Sequence, residues 1–421
     1  MKTQSLEGLT GMIITPESPE YEEARQEWNR AIQKYPLIIV YCSCKEDVSN
    51  AVRWAETQHI GIRIRSGGHH YEGYSVGNGI LVIDVSRMKK LQLDSQKGTV
   101  KMESGVENHE LYELVGREGY PFPGGTCPTV GVTGYTLGGG WGYSSRYLGL
   151  GCDSLLELEL IDYKGNAITA NAQRNPELFW GCRGGGGGNF GVITSMTYKL
   201  PPKVARVTLV ELGRANVSQE MLVQFLEIWQ NWLENLNPGM TINASLYHSS
   251  EEGMGIYGRG LYYGPVQEAR LLLEPFAKLE GMEFLLQERT FLEAMREIQA
   301  SYPDYEKFKS TGRFVQRKYN RNELERIAGL IKHRALGSVY AAVTVYAMGG
   351  RIKKVDKDAT AFYYRNAEYI MGIQSVWEEA EFAEENVRWM GRRFKYVESI
   401  TKGSYINFPY SCLLNYEQDY Y

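Results

Sequence analysis

Two glycine-rich segments, each holding one nucleophilic side chain, constrain this chain more than any other part of its sequence. The first runs from Arg65 to Gly73 and carries His69, and the second runs from Pro123 to Val132 and carries Cys127. Glycine lets the main chain approach a ligand closely and adopt positive φ angles. Consecutive main-chain N–H groups in such loops form concave anion sites that suit a pyrophosphate. The two segments therefore predict a site for a large phosphate-bearing cofactor, which the imidazole and the thiol could hold covalently.

Three motifs carry a resemblance to a known family: Arg-Ser-Gly-Gly-His from residue 65, Thr-Cys-Pro-Thr-Val-Gly-Val from residue 126 and Gly-Gly-Gly-Trp-Gly from residue 138. Together they resemble the berberine bridge enzyme-like branch of the flavin-linked oxidases, which have the vanillyl-alcohol oxidase fold. The resemblance extends over nearly the whole chain. It implies an FAD attached twice, through its 8α-methyl group to His69 and through its C6 atom to Cys127. His70 occupies the place where relatives usually carry serine.

The resemblance also implies the fold class and further FAD contacts. The fold class is α+β, with a PCMH-type FAD-binding domain of two subdomains and a substrate domain in which helices cover an antiparallel sheet. The further residues that the resemblance places against the FAD are Arg65, Ser66, Gly67, Gly68, His70, Ser75, Gly124, Thr126, Val130, Thr133, Gly134, Gly138, Gly139, Trp141, Gly142, Gly191, Val192 and Asn407.

The length of 421 residues exceeds what one hydrophobic core usually supports, so two domains are expected. The Pro201–Pro202 pair marks the best boundary, which predicts a first domain of residues 1–203, completed by 401–421, and a second domain of residues 204–400. The net charge of −4 argues against a nucleic-acid partner, which requires a clustered basic surface. A polar start over residues 1–10 and the lack of a long apolar run favour a cytoplasmic protein without a membrane partner.

Apolar spacing predicts the order of elements around the first segment. A helix is expected over Pro19–Tyr35, a buried strand over Leu37–Tyr41, a second helix over Lys45–Gln58 and a strand over Gly61–Arg65. This β-α-β order places the first segment at the C-terminal end of a strand, where α/β sheets usually bind cofactors. Five consecutive glycines from Gly184 to Gly188 are predicted to pack tightly against a ligand rather than to form a flexible linker.

Beyond the proline pair, strands alternate with helices and hairpins. A long helix is expected over Ser218–Leu236, a tyrosine-rich hairpin over Thr241–Tyr263, and strands over Ser338–Met348, Thr360–Tyr364 and Tyr369–Trp377. Such an order is typical of an antiparallel sheet covered by helices.

Cys127 differs from the other cysteines because of its surroundings. A cysteine reacts as the thiolate, which an electropositive setting favours, and the glycine backbone and a nearby helix start could supply that setting. The other five cysteines have no metal-binding spacing and are expected to be small buried hydrophobic groups. A zinc site formed by His69, His70 and Cys127 is a poor alternative, because no carboxylate or further thiol is placed to complete it.

Tyr405, Ile406 and Asn407 match the family's Tyr-Val-Asn segment, which holds the aromatic base beside flavin N5. By that resemblance Tyr405 is the catalytic base and Asn407 braces the cofactor. A tyrosine with a pKa of about 10 is a weak base at neutral pH, so Tyr405 needs a positive or hydrogen-bonding neighbour. Some relatives use a glutamate on the strand expected at 369–377, but the interior of that strand holds no acid here, which favours Tyr405.

Val130 lies three residues after Cys127, and in the family a valine at this place accompanies fast reaction of reduced flavin with oxygen, whereas leucine accompanies dehydrogenase behaviour. By that resemblance the protein is an oxidase. An open cleft lined by tyrosine and tryptophan would suit a sugar or an aromatic substrate. The candidates to line this cleft are Tyr71, Tyr143, Tyr147, Trp141 and His70.

The resemblance implies oxidation of an alcohol or a sugar hemiacetal by hydride transfer to covalently bound FAD, which O2 reoxidises with formation of hydrogen peroxide. Two alternatives stay open. One is a secondary-metabolite tailoring oxidase or dehydrogenase, acting for example in oxidative cyclisation, and the other is a flavin-binding protein without turnover. Relatives continue past the position of Tyr421 with a helix and a Tyr-Asp-Pro segment, so either the natural terminus lies further on or this closure of the flavin domain is missing.

Overall fold

The computed structural model describes residues 5–421, and its first sheet has four strands in the order β1-β2-β4-β3. The polar start of the chain lies partly outside these residues. Strands β2, β4 and β3 are parallel, and β1 pairs with β2 antiparallel. The elements of this layer are β1 (Met12–Ile14), α1 (Tyr21–Ala24), β2 (Ile38–Tyr41), α2 (Lys45–Gln58), β3 (Ile62–Arg65) and β4 (Leu81–Asp84). The predicted β-α-β order is confirmed, and the first glycine segment follows β3 directly.

The prediction of one helix over Pro19–Tyr35 is wrong, because only α1 is helical in this range. After α1 the main chain bonds to distant segments instead of to itself. The Trp28 N–H donates to Gly68 O at 2.9 Å, and Asn29 forms a β-bridge with Glu306. These long-range hydrogen bonds replace intrahelical ones, which a periodicity argument cannot anticipate.

The second sheet has five antiparallel strands in the order β5-β6-β9-β7-β8. Four short helices and a 3-10 turn at Gly151–Ser154 connect them, together with the second glycine segment. The elements are β5 (Leu91–Asp94), β6 (Thr99–Glu103), α3 (Asn108–Arg117), α4 (Val132–Leu137), α5 (Ser145–Leu148), β7 (Leu155–Ile161), β8 (Ala167–Asn171), α6 (Pro176–Gly181) and β9 (Val192–Lys199).

The third sheet has seven strands in the order β13-β10-β12-β11-β15-β16-β14, and every neighbouring pair is antiparallel. The strands and the helices between them are β10 (Val207–Arg214), α7 (Gln219–Glu234), β11 (Met240–Ser249), β12 (Gly253–Tyr262), α8 (Val266–Leu272), α9 (Glu274–Ala277), β13 (Glu283–Arg289), α10 (Phe291–Gln299), β14 (Lys307–Val315), α11 (Arg321–Gly329), β15 (Ser338–Ala347), α12 (Arg351–Lys354) and β16 (Tyr369–Trp377). A 3-10 turn at Ala380–Phe382, α13 (Ala383–Ile400) and α14 (Tyr416–Tyr420) complete the chain.

The two faces of the seven-stranded sheet have different neighbours. One face packs on α7, α11 and α13 in a core that includes Trp229 and Trp389. The other face shares a second core with the glycine segments, in which Phe314 and Ile370 of the sheet join Trp141. The sheet is therefore covered by helices on one side and roofs the glycine segments on the other, as predicted.

The prediction of a strand over Thr360–Tyr364 is wrong, because these residues form a loop. The loop is fixed by a buried ion pair between Arg365 and Asp153, whose nitrogen and oxygen atoms lie 2.8 Å apart. It also presses on the glycines: a Cβ atom at Gly184 would collide with Phe362. Tertiary contacts thus decide the conformation of this short apolar run.

The strands divide at the proline pair, because the two smaller sheets use strands before residue 200 and the large sheet uses strands after residue 206. The final segment contacts both parts. The Tyr405 N–H donates to Gly312 O of β14 at 3.0 Å, while Tyr421 Oη donates to Gly185 O at 2.8 Å. The division into domains at 203/204 and 400/401 stays a prediction.

Candidate functional site

Arg65 anchors the base of the first glycine segment. Its side chain is buried, and its Nε donates to Asp84 Oδ2 of the adjacent strand at 2.5 Å. A second carboxylate, Glu27 Oε1, lies 3.6 Å from its NH1. Because burial of unpaired charge is costly, this triad holds Arg65 in place. The Arg65 side chain therefore supports the first glycine segment from inside the protein, and its charge is already paired with protein carboxylates.

The two glycine segments lie in direct main-chain contact. A Cβ atom at Gly67 would collide with the Gly131 nitrogen, and one at Gly131 would collide with Ser66 Oγ. Ser66 Oγ in turn donates to Ser104 O at 2.7 Å. Only glycine permits so close an approach of two backbones. This contact brings the His69 and Cys127 segments together, as the sequence predicted.

His69 lies between an aromatic ring and a hydroxyl group. Its ring stacks on Trp28 with centroids 5.0 Å apart and an interplanar angle of 23°. Its Nε2 lies 2.8 Å from Thr129 Oγ1. Although part of the ring is accessible to solvent, surrounding protein lowers the pKa of His69 to about 3. The imidazole is therefore neutral and keeps the lone pair that a nucleophile needs.

Cys127 approaches the same hydroxyl group, with its Sγ 4.0 Å from Thr129 Oγ1. Burial raises the pKa of the thiol to about 11, although hydrogen bonds from the Thr129 and Val130 main chain act to lower it. These donors lie just before α4, and the predicted contribution of the Gly124–Gly125 backbone is not among them. The prediction that this setting favours the thiolate is wrong for the chain itself, because burial outweighs the donors.

Groups around these segments have the properties of a cofactor cradle. Within residues 5–421, the buried Thr133 Oγ1 has no hydrogen-bond partner, and the main-chain N–H groups of Gly68 and His69 donate to no acceptor. A Cβ atom at Gly134 or Gly187 would meet nothing within 4 Å, so space is left beside them. Consecutive free N–H groups in a glycine segment suit a pyrophosphate, and the residues therefore fit an FAD.

Other predicted cofactor residues are held by protein contacts. Cβ atoms at Gly124, Gly138, Gly139, Gly142 or Gly191 would collide with neighbouring protein atoms, so these glycines serve close packing. The same holds for the five-glycine run, in which Gly184, Gly185 and Gly186 press on protein and only Gly187 faces open space. The first three members of the run thus pack on protein, and packing of the run against a ligand stays a prediction.

Polar members of the predicted set also have protein partners. Ser75 Oγ donates to Glu27 Oε2 at 2.6 Å, and Trp141 Nε1 donates to Ala347 O at 2.8 Å. Val192 lies buried in the core beneath the first sheet. Their direct contact with FAD stays a prediction.

Tyr405 lies with its hydroxyl group at the Gly-Gly-Gly-Trp-Gly segment. The residue is 1% exposed, and its Oη accepts hydrogen bonds from the Gly140 N–H at 3.2 Å, the Trp141 N–H at 3.0 Å and Asn407 Nδ2 at 3.1 Å. Asn407 Nδ2 also donates to Tyr135 O at 2.8 Å. Burial raises the pKa of Tyr405 to about 12, and the three donors act against this rise. The catalytic role of Tyr405 stays a prediction.

The predicted cleft residues divide into two groups. Tyr71 stacks on Phe408 with centroids 5.2 Å apart, and Tyr143 Oη donates to Asn243 Oδ1 of β11 at 2.7 Å, so both lie between the glycine segments and the sheet. Tyr147, in contrast, is 41% exposed and stacks on another tyrosine.

His70 faces the chain that follows it rather than the sheet. Its Nδ1 accepts a hydrogen bond from the Glu72 N–H at 3.2 Å, and its ring packs beside Tyr74. Burial lowers the pKa of His70 to about 4, so the ring is neutral. Contact between His70 and FAD stays a prediction.

Sequence reasoning missed Glu306, an acid just before β14. Within residues 5–421 its side chain has no hydrogen bond and no ion pair, and burial raises its pKa to about 7. Burial also raises the pKa values of Tyr302 and Tyr340 to about 12, and the charge of Glu306 adds to both. Tyr302 Oη lies 2.6 Å from Thr126 Oγ1, next to Cys127. No motif surrounds Glu306, so only the fold reveals this position.

No group of three or more histidine, cysteine or acidic side chains within residues 5–421 is arranged to hold a metal ion. No helix in this range combines the length and the apolar character needed to cross a membrane.

A histidine and a cysteine at two contacting glycine segments, beneath a seven-stranded sheet, define the class of FAD-dependent oxidoreductases. The family of FAD binding domains matches residues 36–171. YgaK of Bacillus subtilis, an FAD-linked oxidoreductase, is 35% identical over 98% of this chain and 91% of its own length.

Solved structures share the whole fold. BBE-like 1 of Physcomitrella patens superposes with a TM-score of 0.85 at 26% identity, over 94% of this chain and 88% of that one. Glucooligosaccharide oxidase of Acremonium strictum, described as carrying 6-S-cysteinyl, 8α-N1-histidyl FAD, superposes with a TM-score of 0.88 at 18% identity, over 97% and 91%. The chain belongs to the berberine bridge enzyme-like FAD-linked oxidoreductases, and the predicted α+β fold is confirmed.

Proposed function

We propose that this protein is an oxidase that removes hydride from an alcohol or sugar hemiacetal carbon, using FAD attached to both His69 and Cys127. The observation that carries the proposal is the approach of both nucleophiles to one oxygen, Thr129 Oγ1, at 2.8 and 4.0 Å. A cysteinyl and histidyl linkage in a relative of the same fold supports it. The open space beside Gly134 and Gly187 would take the cofactor.

Bound FAD would supply the hydride acceptor and return the electrons to O2 as hydrogen peroxide. The residues of the chain bind, orient and exclude water. His69 and Cys127 would anchor the ring, and the Gly68 and His69 N–H groups would bind the pyrophosphate. Val130 is half-buried three residues after Cys127, and a valine at this place, by the resemblance to the family, supports an oxidase over a dehydrogenase.

The proposal is tested by a peroxide-coupled assay with a panel of oligosaccharides and simple alcohols. Steady oxygen uptake with one peroxide formed per substrate oxidised is the expected result. A flavin that substrate bleaches but O2 does not restore would contradict the oxidase and support a dehydrogenase.

A secondary-metabolite tailoring oxidase is the second candidate, and Glu306 favours it. A half-buried carboxylate without a counter-charge, whose charge acts on Tyr302 and Tyr340, suits a cationic group. Oxidation of amine-bearing compounds in the same assay, without oxidation of neutral sugars, would support this candidate.

We place the protein in the cytoplasm. Apart from Cys127, five cysteines are thiols outside any disulfide in residues 5–421. Free thiols persist in a reducing compartment. Fractionation of the source cells, followed by immunodetection, checks this assignment.

For the substrate proton, we propose Tyr405 as acceptor, because three donors converge on its oxygen and stabilise the ionised form. With a pKa of about 12, the ionised fraction rises with pH throughout the neutral range. We therefore expect the rate of flavin reduction by substrate, measured by stopped flow, to rise about tenfold per pH unit from neutral to moderately alkaline pH. A rate that instead levels off near pH 7 would assign the proton to Glu306.

The raised pKa of Glu306 also makes a prediction about stability. Its folded-state pKa of about 7 lies above the ordinary value, so the wild-type protein loses stability as pH rises between the two values. We expect Glu306→Gln to remove this loss. The free energy of unfolding of the variant relative to the wild type should therefore be higher at pH 8 than at pH 5, by on the order of 2 kcal/mol.

Melting temperatures of the wild type and the Glu306→Gln variant at both pH values check this expectation. Asp304→Asn, an exposed acid two residues away, is the matched control. If the melting temperatures of the wild type and the Glu306→Gln variant differ by the same amount at pH 5 and at pH 8, the raised pKa of Glu306 is contradicted.

A further inference from the structure

We propose that Thr129 is a positioning residue for flavin attachment: its hydroxyl group holds the His69 ring in the tautomer that can bond to FAD. This inference rests on the proposed attachment through His69. Thr129 lies in the second glycine segment, two residues after Cys127, and its side chain is exposed at the point where the two segments meet. Nothing in the sequence motif itself distinguishes a role for this threonine.

The geometry of the imidazole gives the first argument. A neutral imidazole carries one proton, so one ring nitrogen donates and the other offers a lone pair. Nε2 of His69 lies 2.8 Å from Thr129 Oγ1, while Nδ1 has no hydrogen-bond partner within residues 5–421. When Nε2–H donates to Oγ1, the proton stays on Nε2 and the Nδ1 lone pair is free to attack.

The other neighbours of His69 do not determine which ring nitrogen carries the proton, so Thr129 determines it. Trp28 covers one side of the ring and offers no acceptor in the ring plane. Burial keeps the ring neutral, and no charged group contributes to the shift of its pKa. Cys127 Sγ lies 4.0 Å from Oγ1, and because a hydroxyl oxygen has two acceptor lone pairs, Oγ1 can accept from Nε2–H with or without the Cys127 sulfur.

The attachment step balances with O2 as oxidant. A bond forms between His69 Nδ1 and the 8α carbon of FAD, and one C–H bond at that carbon breaks. The second hydrogen is the proton of Nε2, which leaves once Nδ1 is alkylated. The electron pair of the broken C–H bond reduces the flavin, and O2 then takes both electrons and both protons as hydrogen peroxide. Thr129 accepts from Nε2–H until that proton departs.

The test isolates the histidyl bond by using full-length Cys127→Ala protein, in which His69 is the single proposed attachment site. Intact mass and acid precipitation give the covalent fraction, and flavin released into the supernatant gives the non-covalent fraction. We expect Cys127→Ala/Thr129→Val to carry a covalent fraction about tenfold lower, the effect of losing one hydrogen bond. Total FAD and melting temperature should stay unchanged.

Thr129→Ser provides the rescue, because serine keeps the hydroxyl group and should restore the covalent fraction to the Cys127→Ala level. Thr57→Val, at an exposed position of helix α2, is the control. An undiminished covalent fraction in the valine variant would overturn the role of Thr129 while His69 attachment stands. Loss of total FAD in that variant would assign Thr129 to binding and also overturn it. Absence of covalent FAD in Cys127→Ala itself would overturn both His69 attachment and this inference.

Discussion

A protein carrying both His69→Ala and Cys127→Ala is expected to lose its yellow colour on gel filtration, because both proposed covalent bonds to FAD are removed. Each single variant should keep one bond and stay yellow. His69 is only partly buried. Without a covalent bond, FAD is then held only by main-chain N–H groups and packing, and dilution on the column shifts it into solution.

The measurement compares flavin absorbance per protein in the eluted peak with the mass of the acid-washed protein. Wild-type protein should give a yellow pellet with the added mass of one FAD. His333→Ala and Cys412→Ala are the controls, since both residues are exposed. Retained colour in the double variant would count against the two bonds as the anchors of FAD, and a colourless wild-type pellet would exclude both bonds.

The sequence predicted best those elements in which the spacing of apolar residues and the tertiary contacts favour the same secondary structure. Lys45–Gln58 is a helix with the predicted bounds, because its inward residues Val48, Val52 and Ala55 recur at helical spacing and reach a buried core. The residues of Pro19–Tyr35 also show helical spacing, yet Trp28 bonds to the first glycine segment instead. Local spacing cannot include hydrogen bonds to a segment 40 residues away.

In the candidate site, too, the sequence predicted some features and missed those that depend on tertiary contacts. His69 and Cys127 were found because each lies in a motif, and the contact of Gly67 with Gly131 brings their segments together. The sequence could not tell a glycine that faces a cofactor from one that faces protein. Gly134 faces open space and Gly138 faces Asn407, although both were predicted to contact FAD. That distinction depends on what packs opposite, which tertiary structure alone decides.

The sequence could not identify Glu306 as a candidate site residue for a similar reason. An acid is notable only when it lacks a partner, and most surface acids of this chain have one, such as Glu113 beside Arg296. The position of Glu306 depends on a β-bridge between its main chain and Asn29, the residue after Trp28. The sequence separation of this bridge is too large for any pattern to predict.

Tyr405→Phe should have a large effect on stability. The substitution removes the acceptor of three hydrogen bonds and leaves two buried main-chain N–H groups, of Gly140 and Trp141, without a partner. Each buried donor left unsatisfied costs about 1–3 kcal/mol, so we expect a clear fall in melting temperature. Tyr421→Phe is the matched control, because that hydroxyl group lies near the surface, where it donates to Gly185 O and accepts from Asn189 Nδ2.

The Tyr405→Phe variant also tests whether Tyr405 is the catalytic base or only supports the Gly140–Trp141 segment. If Tyr405 takes the substrate proton, substrate-dependent bleaching of the flavin should slow by about 10²–10⁴-fold in stopped-flow measurements, and the rise of that rate with pH should disappear. A variant that melts earlier but bleaches at the wild-type rate would keep Tyr405 as a structural brace of the Gly140–Trp141 segment and end its catalytic assignment. The proton would then pass to Glu306, the unpaired acid beside Tyr302 and Tyr340, and Glu306→Gln should slow bleaching instead.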